Sequence, residues 1–327
     1  MTQPANTFDS YDAVGNREDL QDKIYMVSPE KTPIVSSIRR FSATQRLHEW
    51  QRDNLATPNK DNAVIEGDDR TGTALPPTER VANTVQLFDK VAVVSTTQEK
   101  TKSAGRSSEM KYQVSKSMVE LKRDVEAMVV SNNPAVQGNS TTARKSAGLG
   151  PLIYTNVSHG AGSPVGSTTA HTSGLATVAP VLAGTPRAFT EALLKTVLQS
   201  IYTNSGEFAT VISLTPSHKV TFSSFAGIAA NRVNVSKGKQ GTIIGGADVY
   251  MSDFGELTVV PNYVQGTANT STAFVLNPEY AGIAYLGGYK SEPLAKTGHT
   301  TKELVSVEAA LVVTSEKAHG KVADLTA

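Results

Sequence analysis

Apolar residues between 107 and 131 recur with a helical period. Met110, Val114, Met118, Leu121, Val125 and Met128 are spaced 4, 4, 3, 4 and 3, which puts them on one stripe of a helix. Ser107 or Ser108 caps it, Glu109 sits in the first turn where the dipole favours an anion, and Ser131-Asn-Asn-Pro134 stops it. At 1.5 Å per residue the helix is about 37 Å long. Such a stripe needs a sheet or another helix to lie on.

Elsewhere the period is two. Val305, Val307, Ala309, Leu311 and Val313 alternate cleanly and predict a strand. Residues 46–52 predict another, and a third runs from about Thr84 to Thr97, with Val85, Leu87, Val91 and Val93 on its apolar face and Asp89 as the exception. Shorter strands are expected at Ala209 to Leu214, Thr242 to Met251, Leu257 to Val260, Thr272 to Leu276 and Gly282 to Leu286. A second helix is expected from Thr185 as cap and Pro186 as first residue to Asn204, and a third from Pro216 to about Phe225. The fold class read from this order is α+β.

Two stretches lack their own apolar pattern. Residues 1–45 read as a polar arm, with Pro29 and Pro33 breaking any helix, ordered by lying on something else. Asp53 to Asn83 hold Pro58, Gly67, Gly72, Pro76 and Pro77 among many Asn, Asp and Thr. A structureless run this long is functional or disordered. As a hairpin, fifteen residues out and back would reach about 50 Å, beyond its own body. Residues 155–184, rich in Ser, Thr, Gly and Ala, read as a surface connection.

Composition narrows the function. The 327 residues carry a formal charge of +1, against a free nucleic-acid binder. The charge is uneven. Residues 1–99 hold 11 basic and 15 acidic side chains (net −4), 100–145 hold 9 and 4 (net +5), and 146–327 balance. There is no Cys, which removes disulfides and thiolate chemistry. No apolar run is long enough for a membrane helix, so no membrane partner is expected.

Catalytic patterns are not found. His48, His159, His171, His218, His299 and His319 stand apart, without metal-ligand spacing, and those in loops or near the polar C-terminus read as solvent residues. Gly160-Ala-Gly162 begins like a dinucleotide loop but has Val165 at the sixth position. Gly238-Lys239 follows Val233 where a phosphate loop needs Gly. No catalytic residue, metal or cofactor is assigned. A hydrolase using His218 or His159 with a Ser is the alternative from another class. Trp50 reads equally as a core plug or a contact residue.

A resemblance covers nearly the whole chain. Phe8-Asp-Ser-Tyr-Asp12, Arg17-Glu-Asp-Leu20, Ser28-Pro and Thr32-Pro33 resemble the N-arm of tailed-phage major capsid (major head) proteins. Val94-Ser-Thr-Thr-Gln98, Ala104-Gly-Arg106, Glu120-Leu-Lys-Arg-Asp124-Val-Glu126 and Ala143-Arg-Lys-Ser-Ala-Gly148-Leu follow in that family's order. So do Thr190-Glu-Ala-Leu-Leu194, Ile201-Tyr202, Ser217-His-Lys219 and Glu316-Lys-Ala-His-Gly320. The resemblance implies the Hong Kong ninety-seven fold. It divides the chain into an N-arm (1–45), an extended loop (46–99), a peripheral domain (100–184 and 251–327, with the spine helix at 107–131) and an axial domain (185–250).

It further implies a non-enzymatic shell subunit, self-assembled as hexamers and pentamers into an icosahedral capsid. The capsid would enclose double-stranded DNA through loose, nonspecific contact. A separate scaffolding protein, a portal and a decoration or cement protein are the further partners. The location would be the virion, after synthesis in the bacterial host cytoplasm. A nanocompartment shell of the same fold is the nearer alternative. Intersubunit contact is expected from Trp50, Lys60, Glu66, Asp68, Asp69 and Arg70, with the acidic arm and loop meeting a neighbour's basic spine region.

Overall fold

The computed structural model describes residues 7, 24, 26, 28, 30–69, 72, 74, 75, 77–162, 171, 172, 174–178, 184–225 and 248–326. Most of the expected arm before residue 30, Arg70, and the start of the strand expected from Thr242 lie outside that set.

Among the described residues the first element is helix Pro33–Ser37 (α1), followed by strands Arg39–Ser42 (β1), Leu47–Arg52 (β2), Glu79–Thr84 (β3) and Gln86–Ser95 (β4). Helices Thr96–Lys100 (α2), Glu109–Val129 (α3) and Leu149–Leu152 (α4) lead to strands Val157–Ser158 (β5), His171–Thr172 (β6) and Leu175–Ala176 (β7). Then come Glu191–Ser205 (α5), Val211–Leu214 (β8), Pro216–Ser223 (α6), Val249–Ser252 (β9), Gly255–Pro261 (β10) and Gln265–Ala268 (α7). Strands Ala273–Leu276 (β11), Ala281–Leu294 (β12), Thr300–Val313 (β13) and Gly320–Val322 (β14) finish it. The sheets are ordered β1-β12-β13-β4, β5-β14-β11-β8-β10-β9 and β2-β3-β7-β6.

The spine helix forms where its stripe predicts. Ser108 accepts the Lys111 N–H as cap, and Glu99 takes the Met110 N–H at 3.1 Å, so two unpaired donors of the first turn are satisfied. Leu121, Val125 and Met128 are buried against the face of β13 that carries Val305, Val307, Ala309, Leu311 and Val313. Glu126, on the same helix, is also fully buried. It accepts from Ile34 N at 3.0 Å, Val35 N at 2.8 Å and Asn262 Nδ2 at 2.7 Å. Burial nevertheless pushes its carboxyl above the usual range. These bonds explain why Pro33 starts a helix instead of breaking one. Its missing N–H is one a first turn leaves unpaired, and Glu126 takes the next two.

The strand after the loop differs from expectation. The partner of β2 is β3, from Leu47↔Thr84 to Arg52↔Glu79. After Val85, β4 leaves for another sheet and pairs with β13. Its buried face is Phe88, Ala92 and Val94, under α3, whereas Leu87, Val91 and Val93 are 51, 46 and 53% exposed. Both faces are apolar, so period two reveals the alternation but not which side is covered. Asp89 lies on the exposed side and is no exception.

The second half packs α5 and α6 on the six-stranded sheet. Leu194, Val197 and Ile201 meet Ile212, Leu214, Val275 and Val322. β11 is buried on both faces, with Phe274 and Leu276 in the first core and Ala273 and Val275 in the second. Helix α5 begins at Glu191 after Thr190, not at Pro186. Residues 185–187 are bonded elsewhere: Thr185 N to Ala161 O, Arg187 N to Asp324 O, and Arg187 O to Thr326 N. With those groups taken, no helical turn can use them.

Candidate functional site

The ribbon of β2 and β3 is fastened at its inner end. Trp50 and Phe41 pack on Ala43, Val85, Ala284, Ala310 and Val312, on the face of the first sheet opposite the spine helix. Trp50 stands 6.0 Å from the His48 ring and its indole N–H has no hydrogen-bond partner. It is half-buried, seated on the body of its own chain.

Beyond Arg52 every residue from 53 to 69 is exposed. Leu55 is 100% exposed, Ile65 80% and Leu75 90%. Hydrogen bonds there are largely local, such as Asn54 N to Asp53 Oδ1 and Asp61 N to Asn59 Oδ1, both within two residues. Lys60, Glu66, Asp68 and Asp69 share this loop; Arg70 is outside the described residues. The four charged candidates stand exposed on this loop, and Trp50 lies at its root.

A second exposed apolar surface was hidden in the pattern of β4. Leu304 lies across from Val91, and Lys302 lies across from Val93 on one side and Leu294 on the other. This end of the outer sheet face is bare, while Trp50 and Phe41 cover the other end. In the basic segment Lys100, Lys102, Lys111, Lys116 and Lys122 are exposed, the last three on α3, which covers the opposite face of this sheet. The acids of this region are engaged locally: Lys90 Nζ is 3.1 Å from both Glu120 Oε2 and Asp124 Oδ2, and Arg106 pairs with Glu109. The basic excess of the segment therefore stands toward solvent.

His218, on the expected third helix, is buried, and of the histidines expected in solvent His319 is buried and His159 half-buried. His218 bonds Thr215 Oγ1 and Thr326 O, both at 2.9 Å, so both ring nitrogens are occupied. His159 Nδ1 lies 3.4 Å from Asp324 Oδ2, and burial, with Lys321 close by, holds its pKa below the ordinary value. His319 is fully enclosed, and burial pushes it down to about 4. The C-terminal stretch reads as polar, but its strand runs through the six-stranded sheet, where these side chains fasten it. Among the described residues no cluster of metal-ligating side chains occurs, and no helix is long and apolar enough to cross a membrane.

A long helix on a four-stranded sheet, a second body and a projecting ribbon define the fold of tailed-phage capsid subunits. The capsid of cyanophage A-1(L) matches with a TM-score of 0.66 at 14% identity, covering 98% of this chain and 99% of that one. The SrpI encapsulin of Synechococcus elongatus matches at 0.54 and 12% identity, covering 95% and 92%. The family model for the SU10 major capsid protein matches residues 3–326. The chain belongs to that family and is a phage major capsid protein. The major capsid protein of Escherichia phage Phieco32 is 36% identical over 124 residues, which span 38% of this chain and 35% of that relative.

Proposed function

We propose that this chain assembles with copies of itself, as hexamers and pentamers, into an icosahedral shell around double-stranded DNA. The loop beyond Arg52 would act as its reaching element. One observation carries this: Leu55, Ile65 and Leu75 extend into solvent on a loop with no apolar cover of its own. A neighbour's bare sheet face, with Leu87, Val91 and Val93, offers matching apolar area, and its lysines suit the loop's acids. Weak contacts of this kind suffice when many act together. In this reading 1–45 is the N-arm, 46–99 the extended loop, 100–184 and 251–327 the peripheral domain, and 185–250 the axial domain.

Scaffolding, portal and decoration proteins are the proposed further partners, DNA contact is loose, and the virion is the location. Replacing residues 55–77 by a short Gly-Ser linker leaves β2 and β3 intact and should yield folded subunits that form no shells. Normal particles by electron microscopy would defeat the proposal. The likeness to an encapsulin favours a nanocompartment as the second reading. Particles purified from the host with the other phage proteins present separate the two, since DNA inside supports the capsid and a cargo protein the compartment.

A further inference from the structure

The exit of the loop is a polar node over a cleft. Arg52 ends β2 and Glu79 begins β3, and the two residues face each other at the outermost rung. Arg52 donates from Nε to Glu79 Oε2 at 2.8 Å and from Nη2 to Oε1 at 2.9 Å, a two-pronged grip across the ribbon. Nη2 also donates to the Tyr154 hydroxyl, and the guanidinium carbon stands 5.7 Å from that ring's centre. Tyr154 belongs to the body: the next residue, Thr155, bonds the buried carboxylate of Glu316 through N at 3.2 Å and Oγ1 at 2.6 Å. One further tie crosses, from Lys317 Nζ to Asn54 Oδ1 at 3.0 Å.

Between ribbon and body lies a cavity of about 570 Å³, lined among others by Gln51, Glu79, Tyr154 and Tyr280. Apolar anchoring ends two residues earlier, at Trp50. The ribbon's outer end can therefore tilt across this cleft without giving up apolar burial. Its angle rests on the β3–β7 pairing, where Ala82 N donates to Gly174 O at 3.0 Å, and, at the outermost rung, on side-chain polar contacts.

We propose that Arg52 is the positioning residue of the loop: its grip on Glu79 closes the ribbon, and its contact with Tyr154 sets the angle at which the loop leaves the body. This rests on the reading of the loop as the reaching element in assembly. The lever is long. Thirteen residues outward span about 40 Å, so a tilt of about 10° moves the tip by about 7 Å, more than one strand spacing. An exposed ion pair alone contributes little. Arg52 differs, because its side chain is only 16% exposed and binds two partners on different elements.

The test uses the full chain with Arg52→Ala, Arg52→Lys and Tyr154→Phe. In dissociated subunits, amide exchange near residues 51–54 and 78–80 should quicken roughly tenfold in Arg52→Ala, the factor that about 1.4 kcal/mol represents. Arg52→Lys, which keeps the charge but loses the fork, and Tyr154→Phe, which loses one hydroxyl, should show smaller increases at an unchanged Tm. In assembly, particle diameter or the ratio of closed to open products should shift in the same order. Unchanged exchange in all three variants overturns the latch, whatever the loop does in assembly. Faster exchange with unaltered particles overturns its positioning role. If Arg52→Ala fails to fold, Tyr154→Phe decides alone. Shell formation without residues 55–77 would instead defeat the underlying reading.

Discussion

Residues 53–69 are exposed at every position, whereas residues 318–325 are buried at every position. Both stretches mix charged with apolar side chains. What separates them is the supply of partners. In the C-terminal stretch Lys321 donates to Gly150 O at 2.6 Å, Asp324 accepts from Gly160 N at 2.9 Å, and β14 is paired on both sides by β5 and β11. Most of its polar groups can be taken from water because they meet a counterpart, His319 Nε2 being an exception. In the loop, hydrogen bonds such as Asn54 N to Asp53 Oδ1 and Asp68 N to Ile65 O stay within three residues, and Leu55, Ile65 and Leu75 are 80–100% exposed. Burial here follows what the rest of the chain presents, not the composition of the segment.

The sharpest way to break this contrast is acid. His319 is enclosed and neutral, with its pKa pushed down to about 4 by burial. In the unfolded chain the same group binds its proton near 6.5. The folded state then has its full stability above pH 6.5 and loses it as pH falls toward 4. The loss is on the order of 3 kcal/mol. His159, also lowered, acts in the same direction, while Glu126, raised, acts in the opposite one. Denaturant unfolding between pH 7 and 4 should show this slope, and His319→Asn, whose carbonyl can accept the Asn277 N–H, should flatten it. An equal slope in the variant would assign the acid sensitivity elsewhere.

A methyl group probes the same contrast more gently. A Cβ on Gly320 would lie 2.4 Å from Val197 Cγ1 and 3.0 Å from Ile201 Cδ1, where α5 crosses β14. Gly320→Ala should cost about 1–3 kcal/mol and lower Tm by several degrees. Gly72 in the loop has nothing within 4 Å, and Gly72→Ala should change stability by less than about 0.5 kcal/mol. Equal Tm values for the two variants would mean that the C-terminal strand is less tightly held than its packing implies.

The spine helix was legible because it has one apolar stripe, and β13 because Val305, Val307, Ala309, Leu311 and Val313 alternate without a break, although Ala310 and Val312 on its other face are buried too. β4 was not, because Leu87, Val91 and Val93 alternate with Phe88, Ala92 and Val94, and only the position of α3 decides which set is covered. The C-terminal stretch was illegible for a related reason. Its Lys, His and Asp look solvated until Gly150, Gly160 and Asn277 arrive from far along the chain. At the candidate site the acidic loop was visible as a run without apolar period. Its root was not, since Arg52, Glu79 and Tyr154 are 27 to 102 residues apart.

The smallest effect on the subunit belongs to the loop's charges. Reversing Glu66, Asp68 and Asp69 to Lys should move stability by less than about 0.5 kcal/mol, because all three are exposed on a loop outside both cores. Assembly should respond strongly all the same. If the loop meets Lys100, Lys102, Lys111 and Lys122 of a neighbour, three attractions become three repulsions. The loss should be greatest at low salt and shrink as the Debye length falls from about 10 Å at 0.1 M to about 3 Å at 1 M. Adding Lys100→Glu and Lys102→Glu to the reversed loop should restore part of the yield, since opposite signs face each other again. Light scattering across a salt series measures both. Assembly that is indifferent to the reversal at every salt concentration would remove the loop's charges from the interface and leave its apolar side chains as the contact.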